Sequence, residues 1–147
     1  MSRRRHQRGT ALIEVTWLAV LLLVPLLYVV LAVFDVQRSA FGLSAAARAA
    51  GRAYVLAPSQ AEGRARAQAA AEVALADQGL DLARGRVRLS CDPAPADCLS
   101  PGSVVHVDLS FPVPLPLVPS ALGGNTPSIR VEAEHDTPYG TFREHRP

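Results

Sequence analysis

The sequence contains no lysine and has little net charge. All 15 of its basic residues are arginines, 13 residues are acidic, and the formal net charge of the 147-residue chain is +2. A nucleic-acid-binding domain usually carries a pronounced basic patch. Here arginines cluster only within residues 3–8, directly before a long apolar run. We therefore expect no nucleic-acid partner.

Aromatic residues and catalytic motifs are also scarce. Aromatics make up 5% of the chain, which leaves few large side chains for a core. No GxSxG, HExxH or phosphate-binding glycine loop occurs. Outside the apolar run, the chain is long enough for one small domain only. We expect no enzymatic activity, no catalytic residues and no cofactor.

One set of polar residues resembles a metal site or a hydrolytic triad in composition. It comprises His106, Asp108, Ser110, His135 and Asp136. Side chains alternate between the faces of a strand, which places His106 and Asp108 on one polar face. By the same alternation, His135 is in phase with the apolar residues Ile129 and Val131. The pattern therefore predicts solvated strand residues and no metal site.

The most distinctive feature of the sequence is a run of 20 residues without a charge, residues 15–34. As a helix it would span about 30 Å, the thickness of a bilayer core. A small soluble domain could not surround a helix that is apolar on every side. The run is also longer than the apolar region of an ordinary secretory signal, about 7 to 15 residues. We predict a membrane-spanning helix.

Charge on either side of the run predicts its orientation. Four arginines occur in the first eight residues, whereas only three occur in the twenty residues after Phe34. Positive residues flanking a membrane helix favour the cytoplasmic side. We expect a single-pass protein of the bacterial cytoplasmic membrane with a cytoplasmic N-terminus. It would consist of a leader (1–9), a transmembrane and stalk helix (10–57) and an extracytoplasmic domain (58–147).

Apolar positions continue at helical spacing beyond the membrane and end near Ala57, because Pro58 disfavours helix in the preceding residue. These positions are Val36, Ala40, Leu43, Ala47, Ala50 and Tyr54. A second helix is predicted from Gln60 to Gln78, capped by Ser59 and Glu62 and ended by Gly79. Its predicted packing face is Ala65, Ala69, Val73 and Ala76.

Alternating apolar and polar residues then predict about three short antiparallel strands. Their apolar positions are Val87, Leu89 and Cys91, then Val105, Val107, Leu109 and Phe111, then Ile129, Val131 and Ala133. Pro112, Pro114, Pro116, Pro119, Gly123 and Gly124 predict an extended loop, since proline cannot donate to a ladder. The tail after Pro138 is predicted to be loosely ordered. The expected fold is α+β.

Cys91 and Cys98 are the only cysteines. Outside the cytoplasm two such residues pair. Their spacing is not that of a CxxC redox or zinc motif, so we predict a structural disulfide. Closing so short a loop stabilises the fold by about 2 to 2.5 kcal/mol on a chain-entropy argument.

The segment from Arg8 to Glu14 has the pattern of a type IV prepilin leader, with basic residues, then Gly9, then a glutamate five positions later. A prepilin peptidase would cut after Gly9 and make Thr10 the new N-terminus. Glu14 would cost roughly 2 to 3 kcal/mol at the edge of the hydrocarbon unless paired. The free amine of Thr10 on a neighbouring subunit is the expected partner. The alternative is that Glu14 reaches the headgroups and has no further role.

Together with Pro25, Asp35, Arg38 and the alanine-rich segment 45–52, this leader resembles the TadE-like minor pilins and pseudopilins of tight-adherence, Flp-type pilus systems. The resemblance covers the first third of the chain. It implies a pilin-like subunit that packs through its N-terminal helix. It also implies prepilin peptidase, other pilins, the inner-membrane assembly platform and membrane lipid as partners. Pro25 is predicted to kink the helix, although it lies further from Glu14 than the family's usual proline.

Two other functions fit the same residues. One is an unprocessed, single-pass envelope protein whose outer domain binds another envelope component, with the N-terminal arginines serving only to set topology. It predicts that substitutions at Gly9 and Glu14 change nothing. The other is a secreted binding domain released by ordinary signal peptidase, which predicts soluble protein beginning after the alanine-rich segment.

Overall fold

The computed structural model describes residues 7–115 and 127–146, with only the backbone described for residues 7–11. The fold is α+β, as predicted. The elements are α1 (Gln7–Val55), α2 (Gln60–Ala76), a 3-10 turn (Leu82–Arg84), β1 (Arg86–Asp92), β2 (Val104–Pro114) and β3 (Ser128–Pro138). The strands form one antiparallel sheet in the order β1–β2–β3. The leader residues Arg3, Arg4 and Arg5 lie outside the described residues, as do Pro116, Pro119, Gly123 and Gly124.

Helix α1 serves two different environments along its length. From Leu12 to Phe34 every large aliphatic side chain exposes at least 41% of its surface. From Ser39 onward one side of the helix is buried, including the predicted Leu43, Ala47, Ala50 and Tyr54. The helix therefore leaves the apolar segment and continues, without a break, as the central helix of a small head domain.

Small residues allow α1 to approach the sheet and α2 closely. A Cβ added at Gly51 would lie 2.2 Å from Thr137 Oγ1 and 3.2 Å from Thr137 Cβ. On α2, a Cβ at Gly63 would lie 3.1 Å from the Tyr54 ring. Glycine at these positions lets the helix backbones lie close to the Thr137 side chain and the Tyr54 ring, so small residues contribute to the packing of the head.

The predicted packing face of α2 is wrong. Ala65, Ala69, Val73 and Ala76 are exposed, and the buried row is Gly63, Ala67, Ala71 and Leu75. Alanine occurs on all sides of this helix and gives no contrast between its faces. Leu75, which is 1% exposed, is the large residue that marks the buried side.

The predicted start of α2 is confirmed, and its end at Ala76 lies two residues before the predicted Gln78. The Ser59 hydroxyl accepts a hydrogen bond from the Glu62 amide at 3.3 Å, whereas the Glu62 carboxylate pairs with Arg66. At the other end Gly79 has a φ of 71°. The Leu80 amide donates to the Leu75 carbonyl at 2.9 Å, as in a Schellman ending.

Pro112 and Pro114 lie in β2 and not in the loop predicted for them. The Leu115 amide donates to the Pro127 carbonyl, so odd-numbered residues of β2 direct their backbone groups toward β3. The nitrogens of Pro112 and Pro114 therefore face the other side. β1 has already ended there, because its first residue, Arg86, is paired with Ser110. The prolines remove no ladder hydrogen bond.

The C-terminal tail is docked on the head, contrary to prediction. Tyr139 is 2% exposed. Arg143 donates to the Val55 carbonyl at 2.7 Å and Arg146 donates to the Ala57 carbonyl at 2.9 Å. These carbonyls belong to the end of α1 and the turn after it. The last carbonyls of a helix have no N–H donor within the helix. Two tail arginines thus cap the C-terminal end of α1.

The predicted disulfide between Cys91 and Cys98 is present. It lies at the same end of the head as the tail, since the Arg146 amide donates to the Leu99 carbonyl. His145 Nε2 also lies 3.2 Å from the Asp97 carboxylate. The disulfide loop, the tail and the end of α1 form one cluster.

The close approach at Gly51 gives a test of this packing. We expect Gly51→Ala to destabilise the head by about 1 to 3 kcal/mol, because the new methyl overlaps Thr137. Thr137→Ala in the same chain should recover part of the loss. Thermal unfolding of the detergent-solubilised full chain measures both effects, with Arg52→Ala on the exposed side of α1 as control. If Gly51→Ala instead stabilised the head, as alanine does in an open helix, the proposed contact would be wrong.

Candidate functional site

The candidate assembly site is the exposed N-terminal half of α1. The structure contains one helix long and apolar enough to cross a membrane among the residues described, and its apolar window has no burial within the head. Gly9 and Thr10 lie in the first turns of α1, and Glu14 follows Thr10 by one helical turn with its side chain exposed. The structure thus places the predicted cleavage residues and the acid on adjacent turns of one helix.

The polar groups within the apolar half differ in how they are satisfied. The Thr16 hydroxyl donates to the Leu12 carbonyl at 2.8 Å, so it needs no outside partner. No hydrogen bond or ion pair involves the Glu14 carboxylate among the described residues. In an apolar environment a carboxylate must find a partner or reach water. Glu14 is the one acidic side chain in this half of α1, and among residues 12–115 and 127–146 no side chain pairs with it.

Pro25 lies inside α1, and the helix continues on both sides of it. Proline has no N–H, so the Leu21 carbonyl lacks its usual helical donor. The kink that was predicted at this position stays a prediction.

The first charges after the apolar run mark the start of the head. Arg38 lies 3.8 Å from Asp35 on the same side of α1. One turn on, the Ser39 hydroxyl is buried and donates to the Asp35 carbonyl at 2.8 Å. Charged side chains at the end of an apolar span lie favourably at a headgroup boundary. The apolar half of α1 thus ends where the packed head begins.

The polar residues considered for a metal or hydrolytic site are divided between the two faces of the sheet. His106 and Asp136 are paired across the strands on the outer face, and His135 lies opposite Val107 on the inner face. His106 Nδ1 lies 2.7 Å from Asp136, and its Nε2 lies 3.2 Å from Asp92. Within residues 7–115 and 127–146, no group of three or more His, Cys, Asp or Glu side chains is arranged to hold a metal ion.

The electrostatics around His106 favour its protonated form. The hydrogen bond to Asp136 is the largest cause, and it raises the pKa of His106 above the ordinary imidazole value; the charge of Asp92 acts in the same direction. The imidazolium would link the ends of the three strands, because Asp92 closes β1 and Asp136 belongs to β3. Periodicity placed His106 on the polar face, but only the strand register could reveal its two carboxylate partners.

The outer face of the sheet carries ordered rows of charge, which sequence reasoning did not find. One row runs Arg86, Ser110, Glu132 across the three strands, and the next runs Arg88, Asp108, Glu134. Both rows are basic on β1 and acidic on β3. The separate strand patterns contained these residues, but the rows depend on the pairing register.

No protein-family model matches this chain, and neither does any curated protein or solved structure.

The pairing of His106 can be tested by titration. We expect Asp136→Asn to lower the pKa of His106 more than Asp92→Asn does, because it removes the main hydrogen-bond acceptor. NMR titration of the imidazole signals measures this, with His106→Gln for assignment. The raised pKa also implies that the pair's contribution to stability is complete below about pH 6.5 and is lost as the pH rises through the raised value. An unchanged pKa in Asp136→Asn would contradict the pairing.

Proposed function

We propose that this chain is a TadE-like minor pilin or pseudopilin, a structural or assembly subunit of a tight-adherence type IV pilus. In this proposal a prepilin peptidase cleaves the chain after Gly9, and α1 then packs against the helices of other pilin subunits. The N-terminus faces the cytoplasm and the head lies outside the cytoplasmic membrane. The observation that carries the proposal is the two-part character of α1, exposed and apolar in one half and the core of the head in the other.

The exposed half of α1 supports insertion into lipid and into a helix bundle. Its aliphatic side chains are exposed on all sides of the helix, so no single face is reserved for the protein's own head. An apolar surface of this extent is unfavourable in water and is normally covered by lipid or by another protein. Lipid surrounds such a helix before assembly, and neighbouring helices replace the lipid afterwards.

Glu14 favours the pilin assignment over a simple membrane anchor. A topology anchor needs only positive residues before an apolar run. It does not need an acid at the start of that run, because a carboxylate at the edge of the hydrocarbon costs roughly 2 to 3 kcal/mol unless it is paired. Cleavage after Gly9 supplies an ammonium group at Thr10, and this group on an adjacent subunit would pair with Glu14 and set the axial register between the two helices.

The partners follow from the same residues. Prepilin peptidase recognises the leader, other pilin or pseudopilin subunits contact the exposed half of α1, and the inner-membrane assembly platform receives the processed chain. The arginines before the apolar run set the orientation. The disulfide between Cys91 and Cys98 suits a head outside the cytoplasm, where thiols oxidise.

Cleavage is tested by mass spectrometry of the chain extracted from membranes. We expect a mature protein that begins at Thr10. A Gly9→Val variant should retain the leader, because a branched side chain obstructs the bond to be cut. An intact segment from Met1 to Arg8 in the unmodified chain would overturn the pilin assignment and leave the envelope protein with a topology anchor.

The role of Glu14 is tested separately. We expect Glu14→Gln to be inserted and processed normally, and to co-purify with pilin subunits about tenfold less, as removing an ion pair in apolar surroundings costs about 1 to 2 kcal/mol. Glu72→Gln on the exposed surface of α2 makes the same chemical change away from α1 and should have no effect. Equal recovery of the Glu14→Gln and unmodified chains would support the alternative in which Glu14 only reaches the headgroups.

A further inference from the structure

In the part of the chain that the structure describes, both outer edges of the sheet have backbone groups that bond to no other strand. Among residues 7–115 and 127–146, the hydrogen bonds of β1 and β3 to other strands go to β2, which lies between them. Because odd-numbered residues of β2 face β3, its even-numbered residues face β1. The register pairs these residues with the even-numbered residues of β1. The odd-numbered residues of β1, which are Val87, Leu89 and Cys91, therefore direct their amides and carbonyls away from β2, toward the outer edge. On β3 the same holds for the even-numbered residues, among them Glu132 and Glu134.

The two edges carry opposite charge on the outer face of the sheet. On the β1 edge Arg86 and Arg88 outnumber the one acid, Asp92, whereas on the β3 edge Glu132, Glu134 and Asp136 outnumber the one base, Arg130, so the net charges are opposite. Charged side chains often protect an edge strand from pairing. In a parallel pair, Arg86 and Arg88 would repel the same residues of a second β1 but attract Glu132 and Glu134 of β3, since opposite charges on neighbouring strands are stabilising and like charges are destabilising.

We propose that copies of this chain associate edge to edge, with β1 of one copy added to β3 of the next in a parallel pair. The proposal rests on the membrane anchoring in the proposed function, but not on cleavage after Gly9. It names the surface of the head through which one copy contacts another.

The direction of the pair follows from the anchor. β3 runs in the same direction as α1, because its last residues contact α1 near Gly51, while the far end of β2 lies beside Asp35 and Ser39. β1 runs parallel to β3, as both are antiparallel to β2. Copies inserted in one membrane with the same topology have parallel α1 helices. A parallel β1–β3 pair preserves this arrangement, and an antiparallel one would reverse a helix.

One register between β1 of one copy and β3 of the next meets three requirements. It pairs the outward-facing backbone groups, keeps the outer-face side chains on the same face, and sets opposite charges against each other. It places Arg86 of one copy opposite Glu132 of the next and Arg88 opposite Glu134. In a parallel pair of strands, the N–H and C=O of one residue bond to the other strand. They bond there to the two residues on either side of the residue that lies directly opposite. Glu134 would therefore bond to Val87 and Leu89, whose backbone groups face outward. The charge rows of the outer face then continue from one sheet into the next.

The inner face also favours an added neighbour. Val87 and Leu89 are only half-buried, because α1 packs under β2 and β3. A second copy beside β1 would cover these apolar side chains. Since the two contacting edges differ, the association does not close at two copies and can extend into a row.

Photocrosslinking of the full chain in membranes tests the contact. With p-benzoylphenylalanine at Ser90, which is exposed and would lie opposite Asp136 of the next copy, we expect cross-linked dimers, trimers and larger species. Mass spectrometry should map the cross-link to residues 132–138. The same probe at Gln68 on α2 should not reach β3. Absence of a ladder, or cross-links mapped elsewhere than β3, would overturn the proposal.

Charge reversal tests the register. Glu134→Arg should reduce the cross-linked fraction about fivefold, because it sets two arginines opposite each other. The double variant Arg88→Glu with Glu134→Arg should restore it, and Glu72→Arg should leave it unchanged. Retention of the Cys91–Cys98 disulfide and of protease resistance checks that each head is folded. Equal loss in the single and double variants would refute the register.

The N-terminal mass of the same samples separates this inference from the proposed function. A Thr10 terminus without cross-links to β3 would remove only the edge contact. Cross-links to β3 on chains that keep residues 1–9 would remove only the pilin assignment.

Discussion

The structure depends on one helix that must be compatible with two environments. In its first half α1 exposes aliphatic side chains in every direction, which only lipid or other apolar helices can surround. In its second half the same helix is the central element on which α2 and the sheet pack. Because the helix is continuous from Gln7 to Val55, the position of the head relative to the apolar segment is set by the length of helix between Glu14 and Ser39.

The head is packed around the second half of α1, and its close contacts lie along this helix. A small domain with few aromatics buries little area per residue, so close backbone approach must supply the contacts. Gly51 against Thr137 and Gly63 against Tyr54 provide such approaches. The end of α1 is then satisfied from the opposite end of the chain, as Arg143 and Arg146 donate to carbonyls at and beyond Val55. Arg143 and Arg146 thus stabilise the helix that carries both the apolar segment and the head.

The sequence predicted those features that depend on local pattern. The apolar period located α1, Ser59 and Gly79 located the ends of α2, and alternation located three strands. Prediction failed where the outcome depended on neighbours. Pro112 and Pro114 are acceptable in β2 only because β1 ends before it reaches them. Alanine on all sides of α2 left its buried face undetermined, and the docking of the tail depends on carbonyls about 90 residues earlier in the chain.

The two candidate sites, on α1 and on the outer face of the sheet, also differ in how far the sequence alone predicts them. Gly9, Thr10 and Glu14 lie within six residues of one another on one continuous helix, so their spacing follows from helix geometry alone. The partners of His106 and the charge rows of the outer face come from residues on three strands and exist only in one register. Function assigned to α1 is therefore readable from sequence, whereas function assigned to the sheet requires the fold.

Membrane anchoring also determines how strong a contact between heads must be. β1 contributes seven residues to its edge, and a short parallel pair with a few charge pairs would not hold two free domains together in solution, because association costs about 4 to 15 kcal/mol of translational and rotational freedom. In the proposed function, insertion of α1 in one bilayer would remove much of this cost, since it would fix the orientation and raise the effective concentration of the heads. Contacts between helices in the membrane and between sheet edges outside it would then reinforce each other, because both keep neighbouring copies parallel. A weak edge is sufficient in the membrane, and it leaves the free head without a strong tendency to aggregate.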